Sequence, residues 1–169
     1  MKALPIYRFL TYVLLPIGAL LSIVALFALL LALSNITVLL SVFILGSVVI
    51  YIFSSFHFLN KGITQLKPCK HSLKDWIKVN GYVSILFAGM CIFNFITIQA
   101  HPEAMNDAMT QAMSMQGPNY PQGNQAMMLK AMHAMFYAIL VLSIVLIVHI
   151  TMTFRFLKTY AQLFQQEKQ

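Results

Sequence analysis

Acidic side chains are almost missing from this chain: its 169 residues include four Asp and Glu together, against eleven Lys and Arg. None of the four lies within the long apolar segments identified below, so no intramembrane carboxylate is at hand for a proton relay, a cation site or acid catalysis. Enzymatic activity is therefore not expected, and an ion-coupled transporter is disfavoured. Cysteine is equally sparse. Cys69 and Cys91 are 22 positions apart, one in a polar connector and one within an apolar segment, which rules out a disulfide. Cys69 beside His71 is too little for a zinc site. The seven glycines form no phosphate-binding loop, and no nucleophile has a base and orienter in a recognisable pattern. With 9% charged residues, the chain could not cover a soluble globule with a solvated surface.

Apolar residues dominate instead, at 60% of the total. They gather in four segments, 9–33, 38–59, 79–98 and 132–154, each long enough to cross a hydrocarbon core of roughly 30 Å at about 1.5 Å per helical residue. The first is too long for a signal-peptide core, which runs about 7 to 15 residues, and is read as a span. Ten of the eleven basic residues (Lys2, Arg8, Lys61, Lys67, Lys70, Lys74, Lys78, Arg155, Lys158, Lys168) fall at ends that one alternating path puts on the same side, and only Lys130 falls on the other. The positive-inside bias makes that side the cytoplasm and places both termini there. The net charge of +7 thus marks a membrane boundary rather than a nucleic-acid surface, with anionic headgroups as the expected partners of the lysine-rich 61–78 connector.

Local signals refine this path. Pro16 and Gly18 predict a bend in span one, and Ser34, Asn35, Ile36 and Thr37 leave a tight turn that makes spans one and two antiparallel neighbours. Asn35-Ile36-Thr37 has the form of a glycosylation acceptor but lies too close to the bilayer to serve as one. Ser72 followed by Asp75 gives a helix-capping pattern for span three, with Trp76 at the interface. Ser55-Phe56-His57-Phe58-Leu59 echoes Thr153-Phe154-Arg155-Phe156-Leu157, as two related in-out-in hairpins would.

The outer insertion, 99–130, carries the most suggestive chemistry. Pro102 and Gly117-Pro118 bracket a helix over 102–115, with Met105, Met109 and Met113 on one half of the wheel and polar residues on the other. Thioethers and imidazoles bind copper, so His101, Met105, Met109, Met113 and His133 are candidate metal ligands. The same pattern also describes a flexible apolar packing face, the reading preferred here. Haem held by two imidazoles is the weaker alternative, because the His57–Arg155 correspondence sets His57 and His149 at different depths. His149, which lies within span four, needs a polar partner at that depth, and Tyr51 comes level with it as a structural pair.

The expectation is an all-α integral membrane four-helix bundle, a single transmembrane domain over 1–169 with a short outer amphipathic helix between spans three and four. It is expected in the cytoplasmic (inner) membrane as a non-catalytic subunit or scaffold, associating with itself or with a membrane complex and needing no cofactor. Copper handling by the Met and His residues, or haem binding, is the alternative.

Overall fold

The computed structural model describes residues 3–101, 103, 107, 111 and 125–164. Among them there is no strand, and the order is helix α1 (Leu4–Ala32), a 3-10 turn (Ile36–Val38), α2 (Leu39–His57), a π-helical segment (Phe58–Thr64), α3 (His71–Ala100), α4 (Gln125–Thr159) and a final 3-10 turn (Ala161–Phe164). Four helical stretches of 29, 29, 30 and 30 residues are long and apolar enough to cross a membrane. The chain is a multi-pass membrane protein by this criterion. At about 1.5 Å per residue, each helix also projects beyond a hydrocarbon core of roughly 30 Å.

Sequence chemistry accounts for the helix ends. α1 starts at Leu4 because a proline in its first turn has no amide to leave unbonded, and the helix continues through Pro16. Asn35 commits its side chain to the turn after α1, accepting from the Thr37 amide at 3.1 Å and the Thr37 hydroxyl at 2.6 Å. That explains the Asn-Ile-Thr triplet as a local turn. α3 begins one residue before Ser72, so Ser72 lies inside the helix, and the Asp75 carboxylate sits 3.1 Å from His71 Nδ1 instead of reaching back to a cap.

The chain divides into two compact units, Met1–Phe87 with Val145–Gln169, and Ala88–Ile144. In the first, the inward stripes of α1 and α3 mix small and polar residues with a few large ones: Tyr7, Thr11, Leu14 and Gly18 on α1, and Ile77, Asn80, Gly81 and Ser84 on α3. Many large apolar residues point outward, with Leu30 61% and Leu86 61% exposed. This inversion suits a lipid solvent, in which apolar surface gains little from burial and association relies on close packing and hydrogen bonds. At Gly18 the packing is tight enough that a Cβ would meet Ile52 Cγ2 at 2.8 Å, and at Gly81 one would meet Phe154 Cζ at 3.0 Å. In the second unit, Phe95 and Tyr137 meet edge to face at 5.3 Å and Gln99 Nε2 donates to the Tyr137 hydroxyl at 3.4 Å.

The lysine-rich end has its own construction. The π-helical segment buries Phe58, Leu59, Gly62 and Ile63, two adjacent pairs four residues apart that share one face of the helix. Two residues beyond its end at Thr64, Leu66 takes the left-handed conformation at φ 52°, a cost of roughly 1–2 kcal/mol for a residue with a side chain. The Cys69 amide then donates to the Leu163 carbonyl at 2.9 Å, and Phe58 stacks on Phe164 with centroids 5.6 Å apart. The final turn is thereby tied to the connector.

Glycine substitution tests the close approach of α1 and α2. Gly18→Ala is expected to destabilise the purified protein by about 1–3 kcal/mol through overpacking, whereas Gly46→Ala, with nothing within 4 Å of its Cβ, is expected to be neutral or slightly stabilising. Equal thermal shifts for the two variants in detergent would rule out the tight contact.

Candidate functional site

The most polar constellation within the spans is centred on His149. The α-helical repeat puts Tyr7 and Thr11 one turn apart on one face of α1, and His149 and Thr153 one turn apart on one face of α4, while Tyr51 faces them from α2. Tyr7, Tyr51, His149 and Thr153 are completely buried, and Thr11 nearly so. Thr11 Oγ1 lies 2.9 Å from His149 Nε2, and the Tyr51 hydroxyl lies 2.7 Å from Nδ1. The Tyr51 hydroxyl is also 2.9 Å from Thr153 Oγ1, which in turn is 3.3 Å from the Tyr7 hydroxyl. The Tyr7 ring stacks on the imidazole at 4.9 Å with 14° between planes, and the Tyr51 ring meets it edge-on at 5.7 Å.

Hydrogen counting shows what this cluster can do. The Thr11 hydroxyl donates to the Tyr7 carbonyl at 2.8 Å, one turn back on its own helix. Its oxygen is then free to accept from His149 Nε2–H, which leaves Nδ1 as the acceptor for the Tyr51 hydroxyl hydrogen. Thr153, in the same i,i−4 relation, has its one hydrogen within reach of three acceptors, the His149 carbonyl at 2.8 Å and the hydroxyl oxygens of Tyr51 at 2.9 Å and Tyr7 at 3.3 Å. Neutral groups meet all of these demands, so no charge has to be held inside the bilayer. Among the described residues no buried side-chain nitrogen or oxygen lacks a hydrogen-bond partner.

The remaining sequence candidates are dispersed. His101 Nδ1 lies 3.1 Å from Glu103 Oε1, both side chains being largely exposed, and His133 is exposed on α4. Glu103, Asp107 and Gln111 are helical and exposed, while Met105, Met109, Met113 and the rest of the 102–115 helix lie outside the described residues. Among the described residues no group of three His, Cys, Asp or Glu is placed to hold a metal. His149 has both ring nitrogens occupied by hydroxyls, so neither is open to haem iron or copper while the cluster is intact. His57 is exposed and lines a separate polar cleft.

Tyr51 and His149 are the pair that depth along the spans brings together. Tyr7, Thr11 and Thr153 were not foreseen as their partners. The available signal was the repeated i,i+4 pairing of an aromatic or imidazole ring with a threonine inside an apolar run, Tyr7 with Thr11 and His149 with Thr153. No protein-family model matches this chain, and neither a curated protein nor a solved structure matches it significantly.

Removal of either member of the central pair tests the cluster. Tyr51→Phe and His149→Phe are each expected to lower unfolding stability in detergent, with a double-mutant coupling of about 0.6–1.7 kcal/mol, the range for interhelical hydrogen bonds in membrane proteins. Tyr7→Phe, whose hydroxyl makes the longer 3.3 Å contact, is expected to cost less. Additive effects of the Tyr51 and His149 changes would show that the two do not stabilise each other.

Proposed function

We propose that this chain is a non-catalytic subunit or scaffold of the cytoplasmic membrane, with both termini and the 61–78 connector on the cytoplasmic side and the 99–130 insertion outside. The His149 cluster carries the reading. Its most reactive group has both nitrogens committed to hydroxyls of neighbouring helices, it is sealed from solvent, and every member works as a neutral hydrogen-bonding group. A reaction centre or a transport site needs an open position beside such a group, and here packing fills it. The cluster therefore acts as structural glue. A protein built in this way functions through what its outer surfaces hold. The ten-to-one distribution of basic residues supports the orientation.

Two measurements test the proposal. Single cysteines introduced at Lys70 and Asn119 of a chain lacking Cys69 and Cys91, treated in intact cells with an impermeant thiol reagent, are expected to label at 119 and not at 70. The reverse pattern would overturn the orientation. Extraction from the native membrane into lipid nanodiscs, with metal analysis and an absorption spectrum, is expected to give a defined oligomer or a stoichiometric membrane-protein partner. One copper or one haem per chain, lost on replacing His101 and His133, would overturn the scaffold reading in favour of ligand handling.

A further inference from the structure

Two adjoining hollows lie between α2 and α3, and their chemistry changes from one to the other. The first is a cleft of about 270 Å³ lined by Ser54, His57, Lys61, Lys70, Ser72 and Trp76. His57 and Lys61 stand four residues apart on the α2–π helix, and Lys70 and Ser72 flank the start of α3, so two ammonium groups, an imidazole and hydroxyls converge from both walls. No carboxylate lines this cleft. The second is a groove of about 540 Å³ whose walls are mainly apolar, among them Phe43, Gly46, Ile50 and Val79, a volume within the roughly 300–1,000 Å³ typical of small-molecule sites. Gly46 opens it, since a Cβ there would meet nothing within 4 Å. Trp76 belongs to both hollows and is 54% exposed. Asp75 also lines the groove, its carboxylate 3.1 Å from His71 Nδ1.

We propose that the cleft and groove form one binding site for an anionic glycerophospholipid, with the phosphate among Lys61, Lys70, His57 and Ser72 and an acyl chain along the groove past Gly46 and Ile50. Charge complementarity selects this occupant. Basic pockets between membrane helices suit phosphorylated headgroups, and lysine ammonium groups with a hydroxyl match phosphate oxygens. A free phosphate would use the cleft and leave the groove empty, and an apolar partner helix would do the opposite. Only a lipid presents an anionic head and an apolar chain in the same order as these two hollows. Indole at the boundary fits the interfacial preference of tryptophan. This inference goes beyond the scaffold reading and does not depend on it.

The chain has a single tryptophan, which makes the site directly readable. The full-length protein is reconstituted into equimolar phosphatidylglycerol and phosphatidylcholine vesicles, with one or the other lipid brominated near the headgroup end of its chain, and quenching of Trp76 fluorescence is compared. Brominated phosphatidylglycerol is expected to quench at least about twofold more strongly, since two lysines each favour the anionic lipid. Lys61→Gln with Lys70→Gln is expected to equalise the two lipids, and Gly46→Leu, which fills the groove, to reduce quenching by brominated phosphatidylglycerol. Equal quenching in the unmodified protein would overturn the proposal whether or not the variants fold. Loss of the preference on adding millimolar glycerol 3-phosphate would also overturn it, by showing a site for a soluble phosphate rather than a lipid.

Discussion

Everything in the first unit is arranged around one requirement: a polar group inside hydrocarbon must find its partner within the protein, because no water is there to supply one. His149 imposes that requirement most strictly, since an imidazole presents a donor and an acceptor on opposite sides of its ring. Thr11 from α1 and Tyr51 from α2 meet those two sides, at 2.9 and 2.7 Å. Helix α4 is thereby fixed to two neighbours in one rotational setting. A rotation or a slide of α4 by one residue would leave a buried nitrogen unbonded. Each hydrogen bond is worth only about 1 kcal/mol or less in a membrane, so their contribution to specificity exceeds their contribution to stability.

The threonines solve a second problem. A hydroxyl has one hydrogen and must dispose of it without taking it from the ring. Thr11 gives its hydrogen to the Tyr7 carbonyl, and Thr153 has the His149 carbonyl within reach of its own, one turn back in each case. Ser47, Ser84, Ser143 and Thr97 make the same local bond in other parts of the spans. Oxygens left in this state are pure acceptors that a neighbouring helix can use. Around His149 such hydroxyls and rings from three helices meet at one level, which is why five side chains form a cluster there, whereas Ser143 meets the single Cys91 thiol across from it.

The spans were legible because crossing a bilayer is a one-dimensional constraint: about 20 apolar residues in a row suffice. Depth is also one-dimensional, and it sufficed to set Tyr51 beside His149. Tyr7 and Thr11 were not legible, because meeting His149 depends on how α1 is rotated about its axis, and a uniformly apolar helix hides that rotation. Tyr7 also lies ahead of the span start placed at residue 9, in a part of α1 whose apolar run is interrupted by Arg8. The π-helical segment left no trace for a related reason. Its extra residue per turn shifts periodicity by less than a seven-residue stretch can reveal, and the Leu66 turn is closed by backbone bonds from Gln65 to Asn60 and from Lys67 to Lys61, which need no particular side chain. The tie from Cys69 to Leu163 joins positions about 90 residues apart and exists only in three dimensions.

This division of labour bears on where recognition can occur. The cluster around His149 has used up its hydrogen-bonding capacity internally and has no charge to offer. The ionisable groups that remain available to a ligand, His57, Lys61 and Lys70 among them, stand at the helix ends, where the π-helical turn sets Lys61 one step beyond His57 and the Leu66 turn returns the chain so that Lys70 and α3 form the opposite wall. The strain at Leu66 thus has a geometric consequence. A connector ending in a relaxed, extended conformation would carry Lys70 away from Lys61, and two isolated surface lysines would hold an anion no better than any other pair in a high dielectric. Drawn together over an apolar groove, they meet the anion at the membrane boundary, where water competes less for it.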